Sequence, residues 1–257
     1  MPDRLVPAIL TYNEEPNIGR TLDALCWAPL VVVLDSCSTD RTEAIARSYP
    51  NVLWMVRAFD NHAAQWRVAL DAAAEHAEFV LALDADMVVP AAFRDEFDTA
   101  FLASGRLCAV VPFDHRLLGH PMRGTLLQPQ LRLFHARQVR VEQAGHTQHF
   151  ACDAPPYHFQ TAIIHDDRKP LEDWLRAQSR YSALECARIA AGAPRGRDRL
   201  RAAGLMPLVA WFLAYLRAGG PFGGRAAYCY ALERLTYESL LAMRVLRQRL
   251  AAEKEKP

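Results

Sequence analysis

No two cysteines in this 257-residue chain stand in C-x-x-C spacing; Cys26, Cys37, Cys108, Cys152, Cys186 and Cys229 are scattered singly. This argues against a zinc ribbon or a dithiol redox motif. With no apolar leader ahead of the first strand, it implies a reduced, cytoplasmic protein with free thiols. Long apolar runs are missing too. The longest, Leu205 to Leu216, has 12 residues, whereas a bilayer-crossing helix needs about 20. No glycine falls between Tyr12 and Pro16, so the glycine-rich, basic loop that a nucleotidyltransferase would carry after its first strand is not there. Internal repeats, low-complexity tracts and interleaved aromatic and basic residues are also missing, and nucleic acid is not an expected partner. The net charge is only +1, but residues 1–167 hold 13 Lys+Arg against 21 Asp+Glu, while residues 168–257 hold 17 against 8. An acidic part followed by a basic one implies two surfaces with different partners.

What is present is a core and a rhythm. Hydrophobic residues make up 51% of the chain, enough for one large domain or one domain with an appendage. Strand-like runs at Val6 to Thr11, Leu30 to Leu34, Asn51 to Val56 and Phe79 to Leu83 are separated by helix-like segments at Asn17 to Leu25, from Asp40 or Thr39 to about Tyr49, and at Ala63 to His76. Single helices between strands imply right-handed crossovers and a mostly parallel sheet covered on both sides. Ligands of such sheets collect beyond the carboxyl ends of the strands. The polar residues fall there: Tyr12 to Glu15 after the first strand, Asp35 and Ser36 after the second, Arg57 after the third, and Asp84-Ala85-Asp86 after the fourth.

The D-x-D of Asp84 and Asp86 carries the most chemistry. Carboxylates at i and i+2 of an extended segment share a face, and two negative charges crowd there unless a cation lies between them. Mg²⁺ or Mn²⁺ held by one or two carboxylates and by the phosphate oxygens of a nucleotide-activated substrate would relieve the crowding.

Beyond about residue 105 the alternation ends. Leu107 to Phe113 and Gln160 to Ile164 read as strands. Pro170 starts a helix with Leu171, Trp174, Leu175, Tyr181 and Ile189 on one face. A loop around Gly192 to Gly196 leads to Arg195, Arg197, Arg199 and Arg201, then to the apolar piece Leu205 to Leu216, a glycine-rich turn and a long helix with a stripe of Tyr228, Leu232, Leu235, Ala242, Leu246 and Leu250. Glu253 to Pro257 is expected to be disordered. The division expected is residues 1–170 as the nucleotide-binding domain and 171–257 as a basic helical extension. The basic segment with Trp211, Phe212, Tyr215 and Arg217 would suit an anionic membrane surface; the same stripe could pack on the catalytic domain or form a dimer.

Thr11-Tyr12-Asn13-Glu14-Glu15, the run Val31 to Asp40 and Asp84-Ala85-Asp86 together resemble the nucleotide-sugar domain of family 2 glycosyltransferases, with the GT-A fold. Phe59 to Arg67 and Arg132-Leu133-Phe134 are similar to the branch that contains lipopolysaccharide core glucosyltransferases. The resemblance spans roughly residues 5 to 170. It implies donor contacts from Thr11, Asn13, Glu14, Asp35, Ser36, Arg57, Gln65 and Asp84. Within that set Asp35 accepts from the nucleotide base, and Asp84 reaches ribose or a metal-bound water. Asp86 and His165 are the implied metal ligands.

Read from the residues alone, the lesser alternative for Asp35 is to cap the turn at Ser38 to Arg41, Asn13 and Glu14 could as well form a turn or cap the helix near Pro16, and Gln65 and Arg67 could lie on a solvated helix face. Two positions depart from the family pattern. Cys37 stands where glycine is usual, and Thr147 follows His146 where a catalytic Glu is usual. The remaining bases are Asp153, Asp166, Asp167 and His146, with the pair Asp166 and Asp167 preferred. His146, His149, His158 and His165 would be an alternative zinc cluster, but in no standard spacing.

The function implied is an inverting, metal-dependent transferase acting on a lipid-linked or envelope glycan, of the lipopolysaccharide-core kind, peripheral on the inner face of the cytoplasmic membrane. Alternatives are a polyprenyl-phosphate sugar synthase and a catalytically inactive sugar-nucleotide-binding protein.

Overall fold

A computed structural model describes residues 3–144, 147–192 and 196–254. The chain forms two compact units, Met1–Gly119 with Gln128–Lys169, and His120–Leu127 with Pro170–Pro257. The first opens with β1 (Asp3–Thr11), α1 (Ile18–Asp23), β2 (Val31–Asp35), α2 (Thr42–Ala46), β3 (Val52–Val56), α3 (His62–Ala74) and β4 (Ala77–Asp84). It continues through β5 (Met87–Val88), α4 (Ala91–Glu96) with a π turn at Phe97–Phe101, β6 (Cys108–Val111) and β7 (Phe113–Leu117). After β8 (His120–Pro121), which belongs to the second unit, come β9 (Gln130–His135), β10 (Arg140–Ala144), β11 (Thr147–Ala151), β12 (Tyr157–His158) and β13 (Ile163–His165).

The main sheet has seven strands in the order β12-β6-β9-β4-β1-β2-β3. Strands β4, β1, β2 and β3 are parallel, and β9 runs antiparallel between β4 and β6. Apolar runs without alternation are what a doubly covered sheet requires. In β4, Phe79, Leu81 and Leu83 join the face packed by Ile18, Leu22, Phe93 and Phe97, while Val80 and Ala82 meet Trp66, Ala69 and Ala73 of α3 on the other. Register then brings the functional ends level: Leu10 pairs with both Leu34 and Asp84, Thr11 with Asp35, and Asp35 with Val56. In a second, smaller sheet β13 pairs with β5 and β7, setting His165 opposite both Met87 and His115.

Several expected boundaries shift for local reasons. α2 stops at Ala46, and Ser48 and Tyr49 close with i to i−3 bonds, because Pro50 cannot continue a helix. The expected strand from Leu107 to Phe113 is two strands, broken at Pro112, which has no N–H for the ladder. The strand expected from Gln160 begins only at Ile163, since the Gln160 and Thr161 N–H groups donate to the Glu96 carboxylate instead.

The second unit is helical: α5 (Leu171–Ala191), α6 (Gly196–Ala202), α7 (Met206–Arg217), a 3₁₀ turn at Gly220–Phe222 and α8 (Gly224–Lys254). Its buried faces match the expected apolar stripes only in part: Ala242 is buried, and Tyr181 and Ile189 pack against Cys186, Tyr237, Leu241 and Val245. Leu171 and Leu175 of α5 are exposed, as are Tyr228, Leu232, Leu246 and Leu250 of α8; Ser182, Glu185 and Cys186 are buried on α5, and Ala227, Ala231, Glu238 and Leu241 on α8. The reason is ionic. Buried Arg201 of α6 donates through both ends of its guanidinium to Glu238, at 2.8 Å each, and to Asp198 at 2.9 Å, while Arg188 binds Glu185. Small residues do the rest: Ala214, Ala218, Ala227 and Ala231 let α7 and α8 approach closely.

Residues 255–257 of the tail, for which disorder is expected, and Arg195 lie outside the described residues. All six cysteines are free, and among the described residues no single helix is long and apolar enough to cross a membrane.

The α7–α8 turn has no room for a side chain at Gly223. A Cβ there would lie 2.4 Å from Ala227 Cβ and 2.5 Å from the Ala218 carbonyl oxygen. Gly223→Ala is expected to lower stability by about 1–3 kcal/mol, read as a reduced urea midpoint with unchanged slope.

Candidate functional site

The turns after β1 and β2 are built on each other. Asn13 and Cys37 both take left-handed backbone angles, φ 51° and 64°, so Cys37 adopts the conformation that glycine would adopt without strain. The Asn13 N–H donates to Ser38 Oγ, the Thr39 N–H to Asn13 Oδ1, and the Glu14 N–H to Thr42 Oγ1, each at 2.8 Å. Asp35 sits at the centre, nearly buried, accepting from the Thr11 hydroxyl at 2.8 Å, the Ser38 N–H at 2.7 Å and the Ser38 hydroxyl. Those contacts match the turn-cap role, and Thr11 is spent on the same carboxylate. Ser38, outside the expected set, is the hinge of both turns.

A second internal frame ties β3 to α3. Gln65 is fully buried, neither on a solvated face nor open to a ligand; its Nε2 donates to Ser36 Oγ and to the Arg57 carbonyl, at 2.9 Å each. Arg57 donates to Gln65 Oε1 at 2.7 Å and grips Asp60 with both terminal nitrogens, at 2.8 and 2.7 Å. Gln65 therefore orients Ser36 and Arg57. The neighbouring Arg67 donates to the Val141 carbonyl.

At the end of β4, one ligand atom each from Asp84, Asp86 and His165 lies within 4.8 Å of the others. Thr21 donates to the Ala85 carbonyl between the two acids, and the Asp166 N–H donates to the Asp86 carbonyl, so the loop is fixed from both sides. Asp84 is clamped by buried Arg132, with the closer contact at 3.0 Å. Asp86 Oδ2 faces His165 Nε2 at 3.2 Å, while Asp86 Oδ1 is buried without a hydrogen-bond partner. An orphaned carboxylate oxygen beside a second carboxylate and an imidazole fits a divalent metal that accepts oxygen and nitrogen, as Mn²⁺ does. These three side chains would hold it.

Protonation follows the same geometry. Burial pushes the Asp86 carboxyl up, but the His165 charge and hydrogen bond prevail and hold it at about 2. Burial pushes His165 down, and the Asp86 carboxylate outweighs it, raising the imidazole to about 9. His115, lowered to about 4 by burial and by His165, stays neutral. Its Nδ1 lies 3.2 Å from His165 Nδ1. That contact holds the His165 ring with its Nε2 turned toward Asp86, the orientation a metal ligand needs.

The third element is the segment after β13. Lys169 forms an ion pair with Glu14, whose carboxylate also accepts from Asn17 at 2.9 Å. Burial lifts the Glu14 carboxyl to about 8, against the pull of Lys169. Lys169 is itself raised: burial opposes its charge, and Glu14, Asp167 and Asp86 outweigh that.

Asp166 is 1% exposed and accepts from Arg20 at 3.1 Å, Arg168 at 2.8 Å and the Gly119 N–H at 2.8 Å. Both oxygens are committed, so Asp166 anchors the chain and does not suit the role of base expected for it. Asp167 accepts Asn17 Nδ2 and the Lys169 N–H on Oδ1 alone. Asp153 is paired with Arg140 at the surface, and His146 lies outside the described residues.

The segment that carries the interlocked turns and the paired aspartates has relatives. Residues 8–113 match the family model for Glycosyl transferase family 2. That span is less than half of the chain; it includes all eight expected donor residues and Asp86, and excludes His165. With the sheet order above, it makes the first unit a GT-A α/β fold. No curated protein matches the chain. Among solved structures, the chain is similar to S. aureus TarS 1-349 (14% identity, TM-score 0.46, 99% of this chain and 92% of that one) and to the same protein in complex with UDP-GlcNAc (15%, 0.47, 97% and 92%). It is also similar to a mycobacterial protein (16%, 0.44, 71% and 72%).

Sequence reasoning gave no role to His115 and Lys169, and none of their own to Ser38 and Arg132, quoted only within the resembling motifs; each has a partner distant in the chain. Only Lys169 had a usable signal, its place beside two acids at a strand end.

Two outcomes follow from the His165 geometry. His115→Ala is expected to weaken Mn²⁺ binding roughly 10-fold or more, measured by calorimetry on otherwise unchanged protein. In chelated protein, the raised His165 contributes stability that is full below about pH 6.5 and lost as pH rises through about 9; the lowered Asp86 contributes above about pH 3.8 and loses it as pH falls through about 2. Urea midpoints should therefore fall between pH 6 and 9, and His165→Gln should flatten that fall.

Proposed function

We propose that this chain is a metal-dependent, inverting glycosyltransferase that moves a sugar from a nucleoside-diphosphate donor to an acceptor hydroxyl. The observation that carries the reading is the orphaned Asp86 oxygen, buried beside Asp84 and His165 at the carboxyl edge of a sheet in a segment that matches Glycosyl transferase family 2. When bound there, Mg²⁺ or Mn²⁺ supplies positive charge against the diphosphate as it leaves. Lys169, electrostatically coupled to Asp86, adds a cation to the same neighbourhood.

Inversion needs one group to accept the proton of the attacking hydroxyl. Asp167, with only Oδ1 engaged in hydrogen bonds to Asn17 and Lys169, suits that part better than Asp166. Asn13, Glu14, Ser36, Arg57 and Asp84 are the proposed donor side. Thr11, Asp35 and Gln65 shape that side from within.

The acceptor proposed is a lipid-linked or envelope glycan of the lipopolysaccharide-core kind, with the first unit as the catalytic domain and the protein peripheral on the inner face of the cytoplasmic membrane. The saturation of Asp166 favours one second reading, transfer to polyprenyl phosphate, where the acceptor is already an anion and no base is required.

The test is thermal shift across a panel of nucleoside-diphosphate sugars with and without Mn²⁺. One donor at 100-fold over its dissociation constant should add about 2.7 kcal/mol of stability, and Asp86→Ala should abolish the metal-dependent part. A panel in which no sugar nucleotide shifts the wild-type protein in Mn²⁺ would end this reading. If a donor binds, loss of transfer in Asp167→Asn with retained donor binding supports Asp167 as base, and radiolabel on polyprenyl phosphate selects the second reading.

A further inference from the structure

α7 is apolar on both sides but not in the same way. Pro207, Ala210 and Ala214 are buried, with Ala214 packed in the cluster of Ala227, Tyr230 and Ala231 on α8. The opposite side presents Leu205, Leu208, Phe212, Leu213 and Leu216 to solvent, and Phe222, 78% exposed, follows in the next turn. Positions i, i+3, i+7, i+8 and i+11 make one stripe along one face. A contiguous outward stripe of large side chains marks an interaction surface rather than scattered exposure.

The exposed charge of the segment that carries the stripe has one sign. From Arg199 to Leu232 the chain contains no Asp or Glu. Arg197, Arg199, Arg217 and Arg225 are exposed, whereas Asp198 is buried and bound to Arg201 and Arg188. A second copy of this segment would bring its exposed arginines up against like charges, which is unfavourable; an anionic lipid surface would pair with them and take the apolar face at its headgroup boundary. α7 has 12 residues, about 18 Å of helix, against about 30 Å of hydrocarbon. α6 and α7 are bent by 119° at the break between them, so the two make no straight span, and α7 alone is too short to cross.

We propose that α7 and the Phe222 turn form an interfacial anchor for an anionic bilayer. This deepens the membrane location in the reading above, but it depends on neither the metal site nor the transfer chemistry.

The test is co-sedimentation of the full chain with sucrose-loaded vesicles of phosphatidylcholine, alone or mixed with phosphatidylglycerol. Binding is expected to the mixed vesicles and to weaken as salt rises. Leu208→Ser with Phe212→Ser should reduce partitioning on the order of tenfold or more. Arg217→Ala with Arg225→Ala should reduce it roughly tenfold on mixed vesicles. Circular dichroism checks the fold, and Phe222→Ser provides the same readout if the double variant unfolds. The sugar-nucleotide thermal shift should be unchanged in these variants, which separates failure of the anchor from failure of the donor site. The proposal is overturned if the wild-type chain stays in the supernatant with mixed vesicles, if the serine variants sediment like wild type, or if light scattering finds a homodimer that the same serines dissociate.

Discussion

Two carboxylates one residue apart at the end of a strand buried on both faces place a demand that the rest of the first unit answers. Asp86 is nearly enclosed while Asp84 is partly open to solvent, and water screens the repulsion between them only in part. Each acid therefore has its own cation: Asp84 has Arg132 from β9, and Asp86 has His165 from β13. These contacts need the antiparallel strand β9 beside β4 and the small sheet that sets β13 against β5. The parts of the unit that break the parallel alternation are the parts that bring positive charge to Asp84 and Asp86. Even so, Asp86 Oδ1 is left unpaired, a cost that a site keeps when something else supplies the partner.

Around this centre the polar groups form a supporting layer. Asp35, Thr11 and Ser38 lock the turn after β2, Asn13 and Ser38 lock it to the turn after β1, and Gln65 locks Ser36 to Arg57. Buried hydrogen bonds between such loops hold backbone that a short polar turn would otherwise leave mobile, and preorganised loops cost less to order when a ligand arrives. The left-handed angles at Asn13 and Cys37 are affordable in that frame because several bonds determine them together.

The alternation of strands and helices, and the gathering of Asp35, Arg57 and Asp84 at one edge, were legible because they follow from period and strand direction. Asp86 and His165 were legible through the resemblance, and the register of β5 with β13 explains why they meet. What stayed hidden shares one property. The partners of Arg132, His115, Lys169 and Arg201 are fixed by tertiary pairing, and no local period encodes them. The α5 and α8 stripes misled in part, at Leu171, Leu175, Tyr228, Leu232, Leu246 and Leu250, for the same reason. Hydrophobic periodicity assigns an interior to leucines, whereas the interior here is organised by Arg201 with Glu238 and Asp198 and by alanines small enough for close helix contact. The stop before Pro50, by contrast, follows from proline alone, and the same signal was there at Pro112, through which the expected strand ran.

The helical unit turns this cost to a use. A buried arginine with several carboxylates is expensive to desolvate and contributes little net stability, but it strongly penalises any other arrangement of its helices. Here Arg201 and Arg188 take Glu185, Asp198 and Glu238 inward. Three acids and one arginine are buried and Arg188 is only partly so, so the interior takes up more acidic than basic charge. Asp198, which stands between Arg197 and Arg199 in the chain, is held in the interior by the same ion pairs that fix α6. Helix orientation and the sign of the surface potential become one property, and loosening the interior pairs would alter both together.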